Sequence, residues 1–337
     1  MPGYIQIMSR LAIGLDIGGA NLKLATSDGH ARSRPFEMWK HPARLTDELR
    51  DLVTDLPPDA PVGVTTTGEL CDCFETKRDG VRHILAAVRD VFGPDRAWVW
   101  GTGGNFMTLG ESYDQHMIAA AANWHALGTY VGRIAPEGAA VLVDVGSTTT
   151  DVLRIHNGRP APAGRTDVDR LASQELIYVG AKRTPVCALS RSSVANELFA
   201  TTHDVHVLLG DLPEEPTRRD TADGRPVTRR HAHARLSRML GGDPELIPEA
   251  GTRQFAEDVR ETIVSRIVSS LTLADRSLGE RRRLWITSGS GEFLARAAVA
   301  RFPGERISLS ERLGPAVSEA ACAYAVAVLL SEASCAL

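Results

Sequence analysis

The chain has 337 residues, 43% of them hydrophobic and 24% charged, with a formal net charge of −4 at pH 7. That is chain enough for two cores and a soluble composition, without the basic footprint a nucleic-acid partner requires. No apolar run reaches the ~18 residues of a membrane-crossing helix, the opening MPGYIQIMSR lacks the pattern of a signal peptide, and an odd count of five cysteines reads as reduced thiols in the cytoplasm.

In chain order, an apolar strand over about 11–17 runs into Gly18-Gly19, a second strand follows at 22–26, and Ser27-Asp28-Gly29-His30 is a turn. A third strand is expected at Phe36–Lys40. Leu45, Leu49, Leu52, Val53 and Leu56 recur at helical spacing until Pro57-Pro58 stops them, which predicts a helix over 46–56. Pro61–Thr67 reads as a strand, 81–91 as a helix and Ala97–Trp100 as a strand. Three strands, helix, strand, helix, strand is the order of a ribonuclease-H-like lobe. The alanine-rich 117–127 then reads as one closely packed helix linking this lobe to the next.

The second lobe opens at Ala139 with the apolar strand Leu142-Val143-Asp144-Val145, a turn Gly146-Ser147-Thr148-Thr149, and a strand over 152–155. Residues from about 165 to 250 break the pattern with helices and charged loops, and are expected to be a helical insertion supplying substrate contacts. A long helix at 254–278, a strand at 284–287 entering Ser288-Gly289-Ser290-Gly291, a helix from Glu292, a short strand at 307–309 and a closing helix at 317–330 complete the chain. The expected fold class is α/β, two ribonuclease-H-like lobes with a cleft between them, bounded at 1–138 and 139–337.

The two strand–Asp–x–Gly–turn units carry the most chemistry. Such turns converge backbone N–H and hydroxyl donors on one point, as a phosphate needs. This selects Gly18, Gly19 and Asn21 in the first, and Gly146, Ser147, Thr148 and Thr149 in the second. Asp16 and Asp144, at the strand ends, suit a divalent cation such as Mg2+ held largely through water. Lys23 reads equally as a phosphate ligand or a snorkelling edge residue. Glu69 and Asp72, beyond the carboxyl end of a strand, read as bases or as solvated turn carboxylates. Lys77 with Arg78 reads as an anion clamp or a solvated pair. Cys71-x-Cys73 lacks the second ligand pair of a zinc site, and His231-x-His233 among Arg229, Arg230 and Arg235 reads as a solvated basic helix face. Asp16-x-Gly18-Gly19 has the spacing of neither a dinucleotide fingerprint nor a P-loop.

With Leu284–Gly291, where Ser288, Gly289 and Gly291 would border an adenine, the two turns resemble the phosphate-one, phosphate-two and adenosine motifs of the actin, sugar kinase and chaperone ATPase superfamily. A narrower resemblance rests on Thr67-Gly68-Glu69-Leu70-Cys71-Asp72-Cys73-Phe74 with Thr76-Lys77, on Ala120-Ala121-Ala122-Asn123-Trp124, and on Tyr178-x-Gly180 with Arg183-Thr184-Pro185-Val186. Together these resemble the hydantoinase/oxoprolinase-like proteins of the tetrahydromethanopterin-linked one-carbon pathway, whose archaeal members are methanofuran-biosynthesis synthases. The resemblance covers most of the chain and is weakest at roughly 203–250. It implies a transferase that joins an aminomethylfuran diphosphate to the phenol of a γ-glutamyl-tyramine and releases diphosphate. Glu69, Asp72 or Asp151 would take the phenol proton, and Lys77, Asn123 and Arg183 would contact substrate. The alternative is an ATP-dependent kinase or ring-opening ATPase on the same scaffold. The partners implied are small molecules, with bound ATP and a homodimer left open.

Overall fold

The computed structural model describes residues 11–189, 193–278 and 283–334; the expectation about MPGYIQIMSR lies outside them. Two compact units emerge: Met1–Ala139 with Ile155–Asp169 and Leu309–Leu337, and Ala140–Arg154 with Arg170–Ser308.

In the first unit, β1 (Ile13–Gly18), β2 (Asn21–Thr26) and β3 (Ala31–Pro35) form an antiparallel meander in which Asp16 stands opposite Lys23. On its other side β1 pairs in parallel with β4 (Val62–Thr67), setting Asp16 beside Thr65 and Gly18 beside Thr67. Parallel β5 (Ala97–Trp100) and antiparallel β6 (Phe106–Thr108) complete the order β3-β2-β1-β4-β5-β6. β1 is buried along nearly its whole length, Asp16 included, as expected of a strand covered on both faces. β3 lies at the sheet edge, where Arg32 and Arg34 discourage further pairing.

The third strand is earlier than the expected Phe36–Lys40. Phe36 and Met38 are buried and apolar, which produced the strand-like pattern, but their N–H groups donate to Ala20 O and Gly19 O and brace the first turn instead. α1 (Leu45–Leu52) buries Leu45, Leu49 and Leu52. α2 (Lys77–Phe92) begins ahead of the predicted 81 because the Thr76 side chain caps it, accepting from Asp79 N–H at 3.2 Å. α3 (Leu109–Asp114) opens on a Thr108–Glu111 capping box.

The single helix expected at 117–127 is two, α4 (His116–Ala119) and α5 (Asn123–Val131). Ala121 takes φ +49, and its N–H donates to Thr66 O at 2.9 Å, supplying a partner to a carbonyl at the end of β4. Alanine favours helix, but here a buried strand carbonyl that needs a donor wins.

The second unit is built on β7 (Ala139–Val145) and β8 (Thr150–His156), joined by a turn in which Gly146 N–H donates to Thr149 O at 2.9 Å. The far end of β8 pairs with β9 (Arg159–Pro160) within the segment Ile155–Asp169 that belongs to the first unit, and α6 (Asp167–Ala172) leads back to β10 (Leu176–Ile177). α7 (Thr202–Leu209), α8 (Arg229–Met239) and α9 (Glu249–Leu278) follow, then β11 (Arg283–Ser288), α10 (Glu292–Val299) and β12 (Glu305–Ser308). The sheet order is β10-β8-β7-β11-β12, and β11 and β12 are parallel. It repeats the order β3-β2-β1-β4-β5 of the first unit, with β7 standing where β1 stands.

The insertion is helical as expected, but its basic face is not all solvated. Arg235 is fully buried, its Nε donating to Asp204 Oδ1 at 2.7 Å and one terminal nitrogen to Asp223 at 2.9 Å. His233 Nδ1 lies 2.8 Å from Thr252 Oγ1 and ties α8 to α9. These inward-facing polar groups correct the solvated-helix expectation: a short helix packed against two others has little face left for water.

The chain ends with α11 (Leu309–Leu313), α12 (Pro315–Glu319) and α13 (Ala321–Ser334). α13 lies against β1, with Gly14 directly beneath Ala323 and Ala327, so the closing segment belongs to the first unit. The chain changes unit between Ala139 and Ala140, and again after Arg154, Asp169 and Ser308.

Candidate functional site

In the first unit, the Asp16 side chain is only 4% exposed. Thr67 Oγ1 donates to its Oδ1 at 3.0 Å. Burial raises its pKa, against the opposing pull of Lys23 and of hydrogen bonds from Thr67 and Thr65. Lys23, opposite Asp16 in register, therefore acts on the acid whether or not it also meets a phosphate. Gly18, Gly19 and Asn21 form the turn, and a Cβ on Gly19 would collide with Cys71 Sγ, so the turn and the segment after β4 lie against one another.

That segment delivers Glu69. Its side chain is 2% exposed, and Oε2 is buried without a hydrogen-bond partner among the described residues. Lys77 Nζ stands 3.9 Å from Oε1 and 2.7 Å from Asp167 Oδ2. Burial pushes the Glu69 pKa up to about 7; Lys77 lowers it, while Asp167 and Asp16 raise it further. Close approach is possible because residue 80, in the first turn of α2, is glycine: a Cβ there would come within 2.6 Å of Glu69 Cα. Asp72, by contrast, is exposed. A buried carboxyl poised near neutrality, with one oxygen lacking a hydrogen bond among the described residues, can accept a proton.

In the second unit, half-buried Asp144 accepts from Ser288 Oγ, at 2.5 Å from its Oδ1. Gly289 holds φ +96°, and a Cβ there would lie 2.7 Å from Asp144 Oδ1. Gly291 N–H donates to Val145 O at 2.8 Å, so the loop expected to border an adenine is fastened to the strand that carries the acid. The Ser147 carbonyl accepts from both Lys182 and Arg183 N–H at 3.0 Å, while the Ser147 and Thr148 hydroxyls lie 3.4 Å apart and Thr149 O closes the turn. Arg183 is exposed.

Asp151 and Asn123 are otherwise engaged. Buried Arg170 donates to Asp151 Oδ1 at 2.8 Å and to Glu175 O at 3.1 Å, an ion pair that organises the base of the second sheet. Asn123 Nδ2 lies 3.7 Å from Cys322 Sγ on α13. Sequence reasoning did not select Thr67 or Arg170. The register of β1 against β4 reveals the first; nothing in the local pattern announces the second.

Carboxylate and hydroxyl oxygens around Asp16 and around Asp144 are the donor set a hard divalent cation prefers. Among the described residues no three His, Cys, Asp or Glu side chains gather as a metal cluster. Such a cation would complete its shell with water and substrate oxygens. No helix among the described residues is long and apolar enough to cross a membrane.

A strand order repeated in two units, each with an aspartate near the end of its central strand and a donor-rich turn after it, defines the two-lobed α/β class to which actin and the sugar kinases belong. The chain belongs to the hydantoinase/oxoprolinase family, whose model matches residues 61–333. It is 32% identical over 339 residues to the (4-{4-[2-(gamma-L-glutamylamino)ethyl]phenoxymethyl}furan-2-yl)methanamine synthase of Methanocaldococcus jannaschii, covering 96% of this chain and 99% of that one. The synthase of the same name from Methanococcus vannielii is 31% identical over 204 residues, 57% of this chain and 90% of that one. Among solved structures, the activator of the 2-hydroxyisocaproyl-CoA dehydratase from Clostridium difficile with bound ADPNP aligns over 97% of both chains, at 14% identity and a TM-score of 0.46.

Proposed function

We propose that this protein is a synthase of the same kind, a transferase that forms the aryl ether between the methylene of an aminomethylfuran and the phenol oxygen of a γ-glutamyl-tyramine. The observation that carries this reading is the 32% identity spread over 96% of the chain, both units included. On this reading the donor carries diphosphate on its methylene. The C–O bond to diphosphate breaks with its electron pair leaving on oxygen, a phenol oxygen lone pair forms the new C–O bond, and the phenol proton passes to a base. Glu69 is the assigned base, because Asp72 is exposed and Asp151 is held by Arg170.

The furan ring delocalises positive charge at the methylene, so stabilising the departing diphosphate matters more than strengthening the nucleophile. Backbone and hydroxyl donors of Gly18–Asn21 and of Gly146–Thr149 are suited to phosphate oxygens. Asp16 in the first unit and Asp144 in the second are each suited to a divalent cation, which when bound would neutralise charge on the leaving group. The deciding experiment supplies aminomethylfuran diphosphate and γ-glutamyl-tyramine, then separately ATP, and measures diphosphate against ADP. Diphosphate release coupled to ether formation is expected. ADP formation without diphosphate release would overturn the assignment in favour of an ATP-dependent kinase or hydrolase. Asp144→Asn, which keeps an acceptor for Ser288, is expected to remain folded and to lose diphosphate release.

A further inference from the structure

Beside the second turn, a mixed-charge cluster is assembled from three separate stretches of the second unit. Lys182 is pinned by its N–H to Ser147 O at 3.0 Å. Its carbonyl accepts from His203 N–H at 3.2 Å, at the start of α7. The third stretch is a turn in which Arg218 N–H donates to Glu215 O at 3.0 Å, and which Val227 fastens from both sides through Glu215 N–H and Arg218 O. The backbone thus places the three basic side chains around one carboxylate. Glu215 lies 3.8 Å from Lys182 Nζ, 3.6 Å from His203 Nε2 and 3.4 Å from an Arg218 terminal nitrogen, while Arg218 also pairs with Asp220.

Two features separate this cluster from an ordinary ion pair. Glu215 holds its cations at the long end of the range for direct pairing and is itself a third exposed, so it is loosely paired. His203 is 94% buried, and its Nε2 makes no hydrogen bond with any described group. Burial, aided by Lys182 and Arg218, pushes the His203 pKa down to about 3, so its ring is neutral and its nitrogen can serve an incoming partner. An unsatisfied buried ring nitrogen costs free energy unless something meets it.

We propose that Lys182, His203, Glu215 and Arg218 form the subsite for the γ-glutamyl head group of the acceptor, Lys182 and Arg218 taking its α-carboxylate, Glu215 its α-ammonium, and His203 Nε2 a carboxylate oxygen or amide of the same group. The assignment rests on the reaction proposed above. A free amino-acid head is a zwitterion, and recognising it takes both signs of charge within a few ångströms, which this cluster offers and a phosphate site would not.

The test compares γ-glutamyl-tyramine with tyramine, which keeps the phenol and lacks the head group. The wild type should use the first with a KM roughly tenfold or more lower, and Lys182→Met and Arg218→Met should each erase most of that difference by raising the KM for γ-glutamyl-tyramine far more than that for tyramine. A parallel loss with both acceptors would overturn the subsite, because a merely structural cluster weakens both alike. Calorimetric binding of the two acceptors without the furan donor separates this claim from the reaction itself. Preferential binding of γ-glutamyl-tyramine supports the subsite even where no diphosphate is released. Equal affinity overturns it even where ether formation is intact.

Discussion

Glu69→Gln tests the electrostatics of the first unit directly. The glutamate titrates near 7 in the fold against an ordinary 4.5, and its side chain is 2% exposed, so solvent screening takes little away. Because the folded pKa is the higher one, the folded state binds the extra proton between these values. The stability this carboxyl contributes is therefore fully present below about pH 4.5 and is lost as pH rises through about 7. At ~1.36 kcal/mol per unit, the difference amounts to about 3 kcal/mol at most. Glutamine cannot ionise, so the variant should match the wild type near pH 4 and exceed it by ~2–3 kcal/mol near pH 8.

Urea unfolding at the two pH values measures this gap. Ether formation supplies the second readout: wild-type kcat/KM should rise with pH through about 7, and the variant should lose on the order of 100-fold or more together with that inflection. A stability difference that is the same at both pH values would refute the buried-carboxyl argument. Undiminished turnover would refute the base.

Gly289→Ala should destabilise by ~2 kcal/mol or more through its positive φ, and should lower turnover further by pushing a methyl group into Asp144, read by thermal unfolding alongside diphosphate release. Gly80→Ala would force the α2 backbone off Glu69, and is expected to cost ~1–3 kcal/mol and to shift the pH–rate inflection. Arg170→Met removes the guanidinium that pairs with buried Asp151 and should cost ~3–5 kcal/mol, while Arg170→Met with Asp151→Leu should recover most of that in denaturant unfolding.

Both central strands, both turns and the long helix were legible because an unbroken apolar run ending in Asp-x-Gly admits few other foldings, and because helical spacing over many turns is hard to mistake. What the sequence concealed were contacts settled at a distance. The 117–127 helix breaks because Thr66, far away in the chain, needs a donor for its carbonyl. Arg235 reads as surface in a basic stretch, and only the packing of α7 against α8 shows Asp204 waiting for it. Glu69 and Asp72 look alike three positions apart; burial, a tertiary property, separates them.

The placement of α13 over β1 has a consequence for how the protein is made. Its first sheet is synthesised early, yet Gly14 and Gly63 on that sheet are left bare for a helix that leaves the ribosome only after the whole second unit. During translation the earliest-made sheet must wait with an apolar face uncovered, dependent on chaperones or on speed. Truncations that remove α13 should therefore aggregate through the N-terminal half of the molecule, the part furthest in sequence from the cut.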